Sequence, residues 1–337
     1  MRKLRVLVLM HPEVVPPDDL KGFSQKEMNE WKTEYDIVST LRAMGHEVTP
    51  LGVQHELLPI RESVENWKPH IVFNLLEEFQ GEAVYDQHVV GYLELLKVPY
   101  TGCNPRGLVL SRGKALAKKM LAYHRIRVPG FAVFPRGRRV RKPRRLTFPV
   151  IVKSLMEHSS LGISQASVVD SEEKLAERVS FIHKNICTDA IAEEYIDGRE
   201  LYVGILGNQR LQVFPTWELV FKKKAESSLP IATARAKHNL DYQKLRGINH
   251  RFATGISEEL KKHIAHNSKR IYRTLELDGY ARVDYRLTAD GKLFFLEVNA
   301  NPDLAEDEEF SSAAAHIDIP FEDLLQKILN LGIRRSN

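Results

Sequence analysis

Cysteine is scarce in this chain: Cys103 and Cys187 are the two among 337 residues. Two such residues supply neither a disulfide framework nor a metal-binding spacing, and they fit a reducing cytoplasm. Long apolar runs are missing as well. No stretch approaches the roughly 18 residues that a membrane-crossing helix needs, so no membrane span is expected. The opening Met1–Met10 places basic residues before a short apolar core but has no small-residue cleavage site, so it reads as a buried first strand. Internal repeats and low-complexity linkers are absent. Net charge is modest at +5, although Arg136–Arg145 concentrates positive charge. With no aromatics interleaved and no recognition fold around it, that run is expected to be a solvated loop between strands, and nucleic acid is not expected as a partner.

What is present is ordinary for a globular protein, with 43% hydrophobic and 28% charged residues. The length exceeds one core, so two or three domains are expected. Over the first hundred residues strands and helices alternate: Leu4–Met10, a helix near Glu30–Met44 stopped by Gly45, Glu47–Leu51, His70–Leu75 and a helix around Asp86–Leu96. That alternation predicts a parallel sheet with helices on its faces. From Ser111 the character changes. A helix over Lys114–Tyr123 precedes strands Phe131–Phe134, Phe148–Lys153, Ile163–Val169 and Ala190–Tyr195, with a helix over Glu172–Lys184. Strands then dominate (Glu200–Leu206, Leu211–Trp217, Ala281–Leu287, Leu293–Val298), accompanied by helices Glu258–Leu275 and Phe321–Leu329. Lys222–Asn239 is polar and irregular, as a mobile or ligand-covering loop would be.

The most informative stretch is Gly279–Pro302, two strands turned at Asp290-Gly291. Side chains two apart share a strand face, so Arg282 goes with Asp284 and Glu297 with Asn299. Two carboxylates, a carboxamide and a guanidinium on one side are costly as plain structure. They make sense where a hard cation bridges the strands to a polyphosphate, since Mg²⁺ is held by one or two carboxylates plus phosphate oxygens.

Three further segments join this pair. Lys153 ends an apolar strand before Glu157-His158-Ser159-Ser160-Leu161-Gly162, a turn small enough for backbone N–H groups to approach phosphate. Lys114 opens a helix after Ser111. Glu193-Glu194-Tyr195-Ile196 lies at a strand end, followed by Asp197-Gly198-Arg199-Glu200. Each alone is also an ordinary turn or surface residue. In this order, with Leu93–Gly102, Phe148–Gly162, Ile191–Gly207 and Gly279–Pro302, they resemble the ATP-grasp superfamily and, within it, the D-alanine–D-alanine ligases.

The resemblance implies a three-domain α/β ATP-grasp fold: an N-terminal parallel α/β substrate domain (1–107), a central subdomain (108–192) and a C-terminal catalytic subdomain (193–337), with ATP between the last two. Lys114 and Lys153 resemble the lysines that hold ATP phosphates. Ser159, Ser160 and Gly162 resemble the phosphate-covering loop, Glu193, Glu194, Tyr195 and Ile196 the adenine hinge, and Glu200 the ribose partner. Asp284, Glu297 and Asn299 resemble the ligands of two Mg²⁺ ions, for which Mn²⁺ can substitute. Arg282 resembles the arginine that stabilises the acyl phosphate and the tetrahedral intermediate. Lys237 falls where the family closes a loop over the nucleotide; with Arg282 and Ser160 it completes the expected catalytic set. The implied reaction joins a carboxylate to an amine, with amino acids or dipeptides as substrates, ADP and phosphate as products and an acyl phosphate between. Many relatives are dimers, so the resemblance admits a homodimer.

Three departures bear on the substrates. Asp303 replaces the glycine after the last motif's proline. Glu306-Asp307-Glu308-Glu309 stands where the family binds the second amino acid's carboxylate through a serine, Glu308 being the matched position. A carboxylate there repels another carboxylate, or else the acidic run caps a helix beginning near Ser311. The N-terminal glycine-rich turn and ammonium-binding glutamate are not cleanly present; Glu13 is a candidate replacement, and Glu77, Glu78 and Glu82 either bind an ammonium or are solvated. These departures lead to the expectation of an ATP-dependent carboxylate–amine ligase whose substrates differ from two D-alanines. The alternatives are a genuine D-alanine–D-alanine ligase of cell-wall synthesis and a non-catalytic ATP-binding regulator.

Overall fold

A computed structural model describes residues 3–156, 163–221, 231, 242 and 247–335. The N-terminal strands β1 (Arg5–Met10), β2 (Glu47–Gly52) and β3 (Ile71–Asn74) form a parallel sheet in the order β2-β1-β3. β1 and β3 are apolar without alternation because helices cover both faces. Helix Gln25–Glu30 precedes, across the non-helical Trp31, the helix Lys32–Ala43 that corresponds to the one expected near Glu30–Met44. The first starts at a capping box in which Ser24 and Glu27 bond reciprocally.

The helix Lys114–Tyr123 leads into β4 (Phe131–Phe134), β5 (Val150–Ser154), β6 (Val168–Val169) and β7 (Ala190–Glu194), an antiparallel sheet ordered β4-β7-β5-β6. The strand expected over Ile163–Val169 shrinks to β6, because Gln165–Ser167 forms a 3-10 turn tied by Ser167 to the Ser164 N–H. Arg138, Arg139, Arg141, Arg144 and Arg145 are all exposed in the loop between β4 and β5.

Strands β8 (Arg199–Leu206), β9 (Gln212–Val213), β10 (Trp217–Phe221), β11 (Ile248–Phe252), β12 (Tyr280–Leu287) and β13 (Leu293–Ala300) build the third sheet, ordered β11-β10-β8-β12-β13 with β9 beside β8. The expected strand Leu211–Trp217 is broken between β9 and β10, and β11 is an addition. The last helix, Phe321–Arg335, runs on to Arg335. Its Leu324, Leu325, Ile328 and Leu329 pack with Val6, Val8 and Phe73, so the C-terminal helix covers the N-terminal sheet.

One close approach fixes the end of β13 against the N-terminal part. Asn301 accepts from the Cys103 N–H at 2.7 Å. Gly102 (φ +87°) lies so near that a Cβ would sit 2.6 Å from the side-chain Oδ1 of Asn301. Any larger residue would push the Asn301-Pro302-Asp303 corner away.

Candidate active site

The register of β12 and β13 sets the site. Asp284 is directly opposite Glu297 and Arg282 opposite Asn299, while on the other side Asp284 faces Tyr202 and Arg286 faces Glu200 of β8. One sheet face therefore carries Glu200, Tyr202, Arg282, Asp284, Arg286, Glu297 and Asn299. A register shift between Asp284 and Tyr285 marks where the ladder bends.

This face meets β5 and β7 across a cleft of about 600 Å³, its open mouth included, lined by Lys153, Glu193, Glu194, Tyr195, Ile196, Glu200, Asp284, Arg286 and Glu297 and floored by Ile151, Ile163, Ile231 and Leu296. The residues expected to form the hinge, an expected phosphate lysine and two expected metal ligands thus share one cavity. Lys114 joins them from the helix start, its Nζ 3.9 Å from Glu297. Burial pushes the Lys114 ammonium down to about 8 against the pull of Glu297. Lys153 is paired with Glu193 at 3.0 Å. Burial alone would lower the Lys153 pKa, but Glu193 and Glu297 outweigh it and the result is upward.

Lys118 was missed in the sequence. It lies one turn after Lys114 on the same helix face, and it is fully buried. Its Nζ is 3.1 Å from the other Glu193 oxygen and also donates to the Leu296 carbonyl of β13. Burial would raise the Glu193 carboxyl, yet Lys118 and Lys153 hold it below its ordinary value. Glu193 is therefore an ionised anchor for two lysines, and only Glu194, Tyr195 and Ile196 remain for a hinge. Glu194 turns its own carboxylate back to the N–H groups of Gly130 (3.3 Å) and Thr147 (3.1 Å).

Glu200 is fully engaged, with Arg286 at 2.8 Å and the Tyr202 hydroxyl donating at 3.0 Å. Arg286 also escaped the sequence reading, although its alternation with Arg282 and Asp284 carries the signal. Arg282 donates through Nε and Nη2 to the two Asp284 oxygens at 2.9 and 3.1 Å, and through Nη1 to Glu309 at 3.3 Å. Asn299 donates to Asp284 at 3.0 Å, and the guanidinium lies 4.8 Å above the Tyr202 ring. Burial would lower the Arg282 pKa, but Asp284 and Glu309 drive it well up, so it is a permanent cation.

Among the described residues no group of three or more His, Cys, Asp or Glu side chains could hold a metal. The adjacent carboxylates of Asp284 and Glu297, with the Asn299 carboxamide, fit instead a cation that completes its shell with water and phosphate oxygens, which is the habit of Mg²⁺.

At the corner where the substrate residues are expected, Asp303 is exposed and accepts from the Thr33 hydroxyl at 2.6 Å. The helix after it begins at Glu309, earlier than Ser311, with Glu308 as N-cap but no side-chain capping bond, so the cap explanation of Glu308 lacks its hydrogen bond. Burial pushes the Glu308 carboxyl up to about 8, helped by the charge of Glu309 and Asp303. Glu309 is held low: burial opposes ionisation, but Arg282 and then His250 (2.6 Å) overcome it. His250, on the unexpected β11, and Glu309 were not singled out from the sequence. Glu13 stands on a 3-10 turn with its side chain 85% exposed, 3.9 Å from His11. The structure gives it no contact with the cleft residues. Ser159, Ser160, Gly162 and Lys237 lie outside the described residues.

With this geometry in hand, three comparisons agree. The model of the family described as D-ala D-ala ligase C-terminus matches residues 120–330. A D-alanine–D-alanine ligase of Aquifex aeolicus is 30% identical over 326 residues, spanning 97% of this chain and 100% of that one. Uncharacterized protein y4sG of Sinorhizobium fredii is 32% identical over 304 residues, 89% of this chain and 87% of its own. Among solved structures, the D-alanine–D-alanine ligase of Bacillus anthracis complexed with ATP superposes with a TM-score of 0.75 at 20% identity, covering 99% of this chain and 98% of that one. The VanG D-Ala:D-Ser ligase of Enterococcus faecalis gives 0.71 at 19%, covering 98% and 100%. Those structural likenesses establish the fold, and the family match and the Aquifex relative establish descent: the chain belongs to the D-alanine–D-alanine ligase family of ATP-grasp enzymes.

Proposed function

We propose that the protein is an ATP-dependent carboxylate–amine ligase of the D-alanine–D-alanine ligase type, joining two D-alanines through an acyl phosphate in the cytoplasm. The observation that carries this reading is the convergence of Lys153, the 193–196 strand end, Glu200, Asp284 and Glu297 on one cleft. Lys114 and Lys153 would hold the phosphates. The N–H groups of Glu194 and Tyr195 already donate to Gly130 and Pro149, so the purine edge falls to the Ile196 N–H and the hinge carbonyls. Asp284, Glu297 and Asn299 would hold Mg²⁺, which when bound offsets the charge on the transferring phosphoryl group. Arg282, buried and always charged, would stabilise the oxyanion as the amine attacks.

The expectation of substrates other than D-alanine rests on three departures, at Asp303, at Glu308 and in the N-terminal segment around Glu13. Burial and the charges of Glu309 and Asp303 push the Glu308 carboxyl up to about 8, which lessens the repulsion expected of it near neutral pH. The 30% identical Aquifex relative favours a D-alanine acceptor. A second reading, a different amine as acceptor, is favoured only by the Asp303 side chain, which stands exposed at this corner. Incubation with ATP, Mg²⁺ and D-alanine, followed by mass spectrometry, tests the choice. The D-alanyl-D-alanine mass with matching ADP supports the first reading, whereas ADP formed only with another added amine supports the second.

A further inference from the structure

Asp284 poses a problem for any cation it is to bind. Both its oxygens already receive the Arg282 fork, at 2.9 and 3.1 Å, and one also receives Asn299. A guanidinium on those oxygens repels an approaching divalent ion and competes for the same lone pairs. Arg282 therefore needs somewhere else to place its charge. The structure supplies it on a different element. Glu309, first residue of the helix Glu309–Ala315, reaches Arg282 Nη1 at 3.3 Å from the side of the guanidinium away from Asp284's fork. His250 Nδ1 lies 2.6 Å from its other oxygen, and the carboxylate is buried. Tyr202 lies under the guanidinium and also stacks on His250, with ring centroids 5.5 Å apart, giving one flat floor beneath both partners of Glu309.

We infer that Glu309, oriented by His250, is a positioning residue that takes Arg282 from Asp284 when a divalent cation arrives, keeping Asp284 available as a ligand. This rests on the ATP-dependent reading above. The guanidinium shifts its hydrogen bonds from one carboxylate to another without ever being left unpaired in a buried place, where an unpaired charge is strongly disfavoured. It also stays on the sheet face that carries Asp284 and Glu297, beside the proposed oxyanion.

The test is Mn²⁺ binding to the full-length protein with the β,γ-imido analogue of ATP, read from the signal of free Mn²⁺ in electron paramagnetic resonance. Glu309→Gln keeps size and removes the charge. Partners behind a metal ligand are commonly worth 10- to 100-fold in affinity, so the variant should weaken Mn²⁺ about tenfold or more while metal-free analogue binding stays within about twofold. In an Arg282→Ala background the same substitution should have no effect, because Glu309 acts only through that guanidinium. Glu309→Asp, which keeps the charge but shortens the reach, should weaken Mn²⁺ in the same direction and serves if the glutamine variant does not fold. Unchanged Mn²⁺ affinity in a folded Glu309 variant, or an equal loss in the Arg282→Ala background, overturns the role. Wild-type protein that binds neither analogue nor Mn²⁺ overturns the ATP reading itself, and this role with it.

Discussion

Asp284 and Glu297 are direct partners across β12 and β13, so two carboxylates stand side by side on the face that closes the cleft. Asp284 takes the Arg282 fork, and Glu297 stands 3.9 Å from Lys114. Paired carboxylates of this kind suit a divalent cation that shares them with phosphate oxygens. Asp284→Asn and Glu297→Gln should each lower ADP formation by on the order of 100-fold or more, since each removes a ligand charge from the metal. Circular dichroism should be unchanged. Turnover within a few-fold of wild type would remove the metal assignment.

Arg282 is expected to act on the second half-reaction. Arg282→Ala should slow amide formation by about 100- to 1000-fold, the range for losing one preorganised oxyanion donor, while ATP affinity changes little. The two are separated by comparing nucleotide binding with single-turnover product formation. Equal losses in both would assign Arg282 to nucleotide binding instead.

Glu308 gives the site a pH dependence of defined sign. Its carboxyl, raised to about 8 by burial and by Glu309 and Asp303 against the opposing pull of Arg282, is neutral below that value and anionic above it. An acceptor bearing a carboxylate should therefore be bound less well as pH rises from 7 to 9, seen as an increase in its KM. In Glu308→Ser that increase should shrink, because serine does not ionise in this range. The same pH profile in both proteins would detach Glu308 from the acceptor.

Lys118 makes a stability prediction. It and Glu193 are buried to within 1% of full coverage, and Lys118 ties β7 to β13 through Glu193 and the Leu296 carbonyl. Lys118→Met leaves Glu193 with Lys153 alone. Removing one partner of a buried pair costs about 3–5 kcal/mol, and the remaining Lys153 contact places this case near the lower end. Urea unfolding should report a loss of about 3 kcal/mol; a change under about 1 kcal/mol would mean that Lys153 compensates fully.

Much of this was legible in the chain because strand periodicity is a local property. Arg282, Asp284, Glu297 and Asn299 could be placed on one face from spacing alone, and the register bears that out. Arg286 and Glu200 form their pair across β12 and β8, strands about eighty residues apart in sequence, and pairing between distant strands is not written in either segment. Lys118 looked like another residue of a basic helix until the third sheet closed over it. His250 sits on β11, whose short, polar-rich Ile248–Phe252 shows little apolar signal because it is an edge strand paired on one side only. Helix Gln25–Glu30 escaped notice because Met28 is its one apolar residue, so it carries no periodic signal. For Glu308 the sequence gives a formal charge, whereas its protonation depends on burial and on the neighbouring Glu309, which no local pattern records.

The central claim, activation of a carboxylate by ATP in this cleft, is tested most directly by following oxygen. D-Alanine labelled with oxygen-18 in its carboxyl group is turned over with ATP and Mg²⁺, and the released inorganic phosphate is analysed by mass spectrometry. Attack of the carboxylate on the γ-phosphate, then of an amine on the acyl phosphate, leaves one labelled oxygen in each phosphate released. Label in phosphate at the level of peptide formed is the predicted result. Phosphate without label, released alongside ADP, would mean that water rather than a carboxylate attacks ATP, and it would contradict the account.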